Sequence, residues 1–448
     1  MAWPSNPAMN TFQIHISRRR FLARSAVAAG LPLWCLDELH SQAAQTRPLA
    51  ANDKPGIGLI GCGGQGRGDC NWARNYGTVI AVADVDDGHA EEAQKQFGAA
   101  HRFKDFRKLL ERDDIHVIIN GTPDHWHTLI NIASARAGKD IYSEKPLTLT
   151  IAEGKTLVQE IRKHQRVLQV GSQQRSDARF RLACELVRNG RIGRLEHMVV
   201  GLPTGPREGP FSAVPVPPEL DWDYYLGQTP KVDYNGHNSH WNFRWWYQFS
   251  GGQITDWGAH HNDIAQWGNG TERSGPVEVD GKGLVEMIPG GYDAMAKYRI
   301  DCKYANGVTM TIVDEGTVTD RNVVGGGKST PNGVQFIGTD GWIFVSRSEI
   351  KANKQELIEE PLPSGATRLH KSDNHMGNFF ECVRSRKDPI CDVEIGHRSI
   401  SIAHLGVISV RMKRPLRWDP SREQFIDDAE ADRWLSRAMR APYDMSFI

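Results

Sequence analysis

The sequence predicts an α/β protein: a doubly wound parallel sheet in its N-terminal half, then a region whose segments alternate as strands of a second sheet. Three observations predict it. A glycine-rich turn directly follows a short apolar run at Gly56 to Ile60. Short apolar runs then alternate with helical patterns as far as Val170, the mark of βαβ units. From about Val277 to Val345 apolar residues recur at every second position instead, as on half-buried strands.

The first element, Gly56-Ile57-Gly58-Leu59-Ile60, runs into Gly61-Cys62-Gly63-Gly64-Gln65-Gly66. Gly61, Gly63 and Gly66 fit GxGxxG, in which the glycines permit the tight turn, close backbone approach to a pyrophosphate and packing of the next helix. That helix would turn its free N–H groups toward the phosphates. A second strand, Thr78 to Ala83, ends at Asp84, about 20 residues on, where a carboxylate can accept both hydroxyls of an adenosine ribose. Asp84, Asp86 and Asp87 with no adjacent arginine would repel a 2′-phosphate, so NAD is expected over NADP.

Val117 to Asn120 reads as a strand, His127 to Ala137 as a helix, and Asp140 to Tyr142 as a strand. Ile151 to His164 reads as a helix with Ile151, Leu157, Val158 and Ile161 on one face, and Arg166 to Val170 as another strand. Ligands of such sheets sit at the carboxyl ends of the strands. The segments Gly121-Thr122-Pro123-Asp124-His125-Trp126-His127 and Ser143-Glu144-Lys145-Pro146 occupy those ends. Farther on, Tyr298 to Tyr304 and Val308 to Ile312 alternate around a hairpin turn at Asn306-Gly307. Asn374 to Val383, Ser399 to Arg411 and Glu430 to Met439 read as helices.

Composition excludes several classes. With 448 residues the prior is two to three domains, and 39% hydrophobic residues suffice for cores in each. The 54 basic residues balance 54 acidic ones, which removes the basic footprint of a nucleic-acid binder. Seven cysteines without a CxxC pair argue against a structural metal or a disulfide framework. His125 and His127 are spaced as a metal pair but lack a matching cluster, so no metal is expected.

The N-terminus carries Arg18-Arg19-Arg20-Phe21-Leu22 ahead of an apolar stretch from Ala26 to Leu36 that is too short to span a bilayer. Ser41-Gln42-Ala43 supplies small residues for cleavage. The segment 1–43 resembles a twin-arginine signal peptide, which implies export to the periplasm of an already folded protein, with no membrane anchor. Export of a folded chain suits an enzyme loaded with its cofactor inside the cell.

The glycine turn, the Thr122 to His127 segment and Glu144-Lys145-Pro146 stand in chain order before Gly251-Gly252-Gln253-Ile254-Thr255-Asp256-Trp257-Gly258-Ala259-His260-His261-Asn262-Asp263. With these four features the chain resembles the Gfo/Idh/MocA family, named for glucose-fructose oxidoreductase and inositol dehydrogenase. Asp256, Gly258, His260 and Asp263 fit the family's DxGxHxxD pattern. The resemblance implies an NAD-binding Rossmann domain, here 54–175, and a second domain, 176–448, on a large open, mainly antiparallel sheet that forms homodimers or homotetramers. It implies that the glycine turn, Asp84, Thr122, Pro123, His127, Glu144 and Lys145 hold the cofactor, with Lys145, Asp256 and His260 as the catalytic set.

The residues themselves support that chemistry. Oxidising a secondary alcohol requires an acid/base group within hydrogen-bond reach of its oxygen. Asp256 and His260 are four apart and on a helix would point the same way; the sequence leaves open whether Lys145 or His260 is the base. Arg175, Arg244, Trp245 and His261 are the expected substrate contacts, since indoles stack on sugar C–H faces while polar groups take hydroxyls. A sugar or polyol dehydrogenase is therefore expected. Outside the cytoplasm its NAD must be tightly held and restored in each cycle. The alternative is a redox-neutral, NAD-dependent glycosidase that works through a transient keto-sugar; a sugar-binding protein would leave Lys145, Asp256 and His260 without a purpose.

Overall fold

The computed structural model describes residues 54–317 and 330–448. The expected signal peptide, 1–43, lies outside the described residues. Six strands form the first sheet: β1 Gly56–Ile60, β2 Thr78–Ala83, β3 His101–Phe103, β4 Val117–Asn120, β5 Asp140–Ser143 and β6 Leu168–Val170. All pair in parallel, in the order β3-β2-β1-β4-β5-β6. The reversal of strand order beside β1 opens a crevice at the carboxyl ends of β1 and β4, where this fold takes ligands.

The helices between these strands are α1 Gly64–Ala73, α2 Asp87–Phe97, α3 Phe106–Leu110, α4 Asp124–Arg136 and α5 Ile151–Lys163. On α5, Thr150 caps the N-terminus by accepting from the Glu153 amide, and Ile151, Leu157 and Ile161 are buried. Helix α4 starts at Asp124, three residues before the expected His127, because Pro123 in an extended conformation turns the chain straight from β4 into the helix. Strand β6 is shorter than expected and starts at Leu168.

The second sheet has nine strands: β7 Leu195–Leu202, β8 Glu278–Gly283, β9 Tyr298–Lys303, β10 Thr309–Asp314, β11 Gly333–Gly338, β12 Trp342–Val345, β13 Ile350–Ala352, β14 Leu416–Asp419 and β15 Gln424–Phe425. Their order is β13-β12-β11-β7-β10-β9-β8-β14-β15. Only β7 and β10 pair in parallel; the other pairs are antiparallel. The β9–β10 hairpin turns at Asn306-Gly307, where Gly307 takes φ +87°. The architecture is thus a parallel Rossmann sheet followed by a mixed, mainly antiparallel sheet.

The remaining helices are α6 Ala178–Arg188, α7 Trp222–Leu226, α8 Gln253–Asp256, α9 Gly258–Asn269, α10 Glu356–Glu359, α11 His375–Ser385, α12 Val393–Met412 and α13 Ala429–Asp432. Residues of α6, α9 and α12 join the inward residues of the nine-stranded sheet, such as Tyr298, Ile300 and Cys302, in one core. The alternate residues of β9, Arg299, Asp301 and Lys303, lie on the other face and form ion pairs there. Helix α12 begins six residues before the expected Ser399 because Asp392 caps it, accepting from the amides of Glu394 and Ile395.

The helix expected over Glu430 to Met439 is corrected. Only α13 and a single 3-10 turn, Arg433–Leu435, form before the chain extends at Ser436. Arg437 and Arg440 donate to the backbone at Tyr247, Gly227 and Thr229 instead, and these partners draw the segment out of helical register. The six described cysteines are all free and buried. No described helix is long and apolar enough to cross a membrane.

Candidate active site

The carboxyl ends of the first sheet open into a cleft of about 1010 Å³ whose far wall comes from the second domain. Gly61 begins the glycine turn at φ +84°, and a Cβ there would meet the Thr122 amide nitrogen at 2.5 Å. A Cβ on Gly66 would meet the Gly61 carbonyl oxygen at 2.0 Å, so that glycine lets α1 pack on β1. Gly63 and Gly64 differ: a Cβ on either meets no atom within 4 Å, and both line the cleft. Gly63 caps α1 with no side-chain hydrogen bond, leaving first-turn N–H groups free for an anion.

Asp84 stands beside this turn. Its carboxylate accepts from the Cys62 amide at 2.6 Å and from the Asp86 amide at 2.9 Å. Burial raises its pKa, and those two amides oppose the rise. An acidic group fixed at the tip of β2 with free helix N–H groups next to it fits the adenosine ribose and pyrophosphate of NAD.

Gln65, Thr122, Pro123 and Glu144 also line the cleft. Glu144 accepts from the Gln173 side chain at 2.9 Å and from the Lys145 amide at 3.2 Å. His127 does not reach the cleft wall, contrary to its expected cofactor contact. Its ring lies between the carbonyls of Pro146, 2.6 Å from Nδ1, and Thr122, 2.8 Å from Nε2, and so ties the two loops together. His125 is equally spoken for, with Nε2 2.8 Å from the Tyr225 carbonyl.

Lys145, Asp256 and His260 meet in the cleft. Lys145 follows β5, and its Nζ donates to Asp256 Oδ1 at 2.5 Å. Arg244 Nε lies 3.6 Å from Asp256 Oδ2. Burial would raise the Asp256 carboxyl, but the Lys145 ammonium and the Arg244 guanidinium overcome it and hold the group below the ordinary carboxylate range. Helices α8 and α9 join at Trp257, whose backbone is itself helical, so His260 follows Asp256 by one turn and faces the same space. Burial, then the charges of Lys145 and Arg347, push the His260 imidazole well below its usual range. It is neutral, and its buried Nδ1 has no hydrogen-bond partner.

Three of the expected substrate contacts are corrected. Arg175 is 2% exposed and makes a two-pronged ion pair with Asp263, at 2.6 and 2.8 Å. His261 is rotated about 100° from His260 around α9 and turns inward, with Nε2 2.8 Å from Asn332 Oδ1. Trp245 is buried off the cleft, whereas Trp241, which is 70% exposed, lines it. Arg244 does line the cleft, with its guanidinium 4.0 Å from the centroid of the Trp241 ring.

Two further residues at this end were not singled out from the sequence. Asp124, in the first turn of α4, accepts from Ser250 Oγ at 2.5 Å, and burial pushes its carboxyl up to about 7. Arg347 lines the cleft with its guanidinium 4.5 Å from the centroid of the Trp257 ring. Asp124 had a signal in its place between Pro123 and His125. Arg347 had none, since only the fold brings it to residues some 90 positions away.

Two family models match the chain. One, described as oxidoreductase family, NAD-binding Rossmann fold, matches residues 56–172; the other, oxidoreductase family, C-terminal alpha/beta domain, matches residues 208–445. The chain is 23% identical over 371 residues to the myo-inositol 2-dehydrogenase of Thermotoga maritima, covering 81% of this chain and 98% of that protein. It is 26% identical over 362 residues to the scyllo-inositol 2-dehydrogenase (NAD(+)) of Bacillus subtilis, covering 77% and 90%. Its fold is similar to that of levoglucosan dehydrogenase in complex with NADH and levoglucosan, with a TM-score of 0.60 and 20% identity over 81% of this chain and 99% of that one.

Proposed function

The chain belongs to the Gfo/Idh/MocA oxidoreductase family, with an NAD-binding Rossmann domain, and from that membership we propose that it oxidises or reduces a secondary hydroxyl carbon of a sugar or polyol. The observation that carries this reading is the convergence of Lys145, Asp256 and a neutral His260 on the cleft that also holds the glycine turn. NAD, when bound, supplies the hydride acceptor or donor. The chain's residues handle the proton. Asp256 fixes the Lys145 amine through its 2.5 Å contact, and Lys145 Nζ exchanges a proton with the substrate oxygen. His260, neutral and on the cleft wall, offers an imidazole nitrogen to a hydroxyl. Trp241 and Arg244 suit the C–H face and hydroxyls of a sugar ring. Substrates of the class that the inositol and levoglucosan dehydrogenases are named for are the first to test.

The test is absorbance in the reduced-nicotinamide band while sugars, polyols and aryl glycosides are added to the purified protein with NAD. Reduction by a sugar or polyol, lost in Lys145→Ala while NAD still binds, supports the reading. Phenol released from aryl glycosides without net reduction replaces it with redox-neutral glycoside cleavage.

Arg18-Arg19 and the apolar stretch that follows support a second part of the proposal, export through the twin-arginine route. Replacing both arginines by lysine should leave the protein in the cytoplasmic fraction of a host with that translocase. Unchanged export would end this part.

A further inference from the structure

At the mouth of the cleft, away from Lys145, a second cluster spans both domains. Asp86 caps α2, its Oδ1 accepting from the His89 amide at 3.1 Å. Its other carboxylate oxygen lies 3.4 Å from His240 Nε2, in the segment preceding the Asp256 motif. The rings of His89 and His240 meet edge to face with centroids 4.7 Å apart. One potential ligand atom from each of the three residues lies within 4.8 Å of the other two.

Two imidazole nitrogens and one carboxylate oxygen form the donor set of a zinc-class ion. Bonds of about 2.0–2.1 Å in tetrahedral geometry put ligand atoms about 3.4 Å apart. The Asp86–His240 separation already has that value, and the other separations close by side-chain rotation. The His240 side chain is 40% exposed, so solvent can reach the site and fill a fourth position. Asp86 lies two residues beyond Asp84 and lines the same cleft. An ion held here would join α2 of the first domain to the 3-10 turn His240–Trp245 of the second, beside the place where the adenosine end of NAD fits.

We propose that Asp86, His89 and His240 bind one divalent transition-metal ion, and that this ion clasps the two domains across the cofactor end of the cleft. Its effect on cofactor retention rests on the NAD-dependent reading above; the binding of the ion does not.

The probes are Zn²⁺ and Co²⁺, added to the full chain after treatment with a chelator. The expected result is one ion per chain after dialysis, tetrahedral Co²⁺ absorption bands, and a higher thermal midpoint with Zn²⁺. His89→Gln and His240→Gln should each weaken the affinity at least tenfold. His240→Gln alters a side chain that is 40% exposed, and a metal-free thermal midpoint equal to wild type shows that its fold is intact. Sub-stoichiometric uptake, or uptake unchanged in both variants and therefore an adventitious ion only, overturns the site. Release of bound NAD, followed with and without Zn²⁺, should slow several-fold in the wild type and not in His240→Gln; equal rates overturn the clasp. Sugar-dependent reduction by the chelator-treated chain scores the oxidoreductase reading separately.

Discussion

Residue by residue, the cleft sorts its acids by surroundings. Asp256 is charged because two cations sit against it. Asp124 is slightly more buried and has Ser250, a neutral group, as its hydrogen-bond partner, and burial pushes it up to about 7. Its unfolded value is near 3.8. Between those two pH values the folded protein keeps a proton that the unfolded chain has released, so stability falls as pH rises through that window and stays low above it. Asp124→Asn removes the slope and keeps an acceptor for Ser250. Relative to wild type, the variant should gain ~3 kcal/mol between pH 5 and pH 8, measured as urea unfolding free energies at the two pH values. A difference independent of pH would show that Asp124 ionises normally. Arg175 obeys a different rule, because its charge is wholly enclosed with that of Asp263. Arg175→Met strands the carboxylate and should cost roughly 3–5 kcal/mol, and pairing it with Asp263→Leu should recover part of that loss. A double variant no more stable than the single one would refute the account.

At the scale of elements, the glycine turn separates two functions in six residues. Gly66 is small because α1 must touch the Gly61 carbonyl, and Gly63 is small because the cleft must stay open. Gly66→Ala should therefore lower the thermal midpoint by several degrees. Gly63→Ala should melt like wild type and lose NAD affinity at least tenfold, read by titration of cofactor fluorescence. If Gly63→Ala binds NAD normally, the pyrophosphate does not lie on this turn. Elements of this kind are legible in sequence because a strand buried on both faces reads as an unbroken apolar run closed by a turn, as Gly56 to Ile60 and Val117 to Asn120 do. Strand β3 is not legible: His101–Phe103 is a three-residue edge strand with no buried residue. Strand β7 hides for another reason, since Leu195–Leu202 is half-exposed at its start and wholly buried from Met198 onward, so neither period marks it. In the site, Lys145, Asp256 and His260 belong to local motifs, which makes them legible in the sequence, and the structure brings them to one cleft. The inward turn of Arg175 depends on Asp263, and the Asp86–His240 approach on the docking of the two domains, neither of which a local pattern encodes.

Across the whole molecule, the last residues return from the second domain to the first. Arg440 bonds Asp223 at 2.8 Å, and the Tyr443 hydroxyl donates to the same carboxylate at 3.0 Å. Beyond them Tyr443 and Phe447 enter an aromatic cluster with Phe106, Trp126 and Tyr224. Arg107 and Arg136 donate to the carbonyls of Phe447 and Ile448. The segment thus covers the outer side of Trp126, whose other surroundings include the cleft. Fully burying a large apolar side chain is worth about 1.5–3 kcal/mol; Tyr443 and Phe447 are half-buried, so the strap contributes part of that for each to a marginal total. Removing residues 441–448 should lower the thermal midpoint by a few degrees. It should also raise the NAD dissociation constant several-fold, because Trp126 and α4 lose their backing next to Thr122 and Pro123. Calorimetry and cofactor titration on the shortened chain check both effects. An unchanged midpoint would mean that the aromatic cluster closes without the strap, whereas a lower midpoint with unchanged NAD affinity would confine its role to stability.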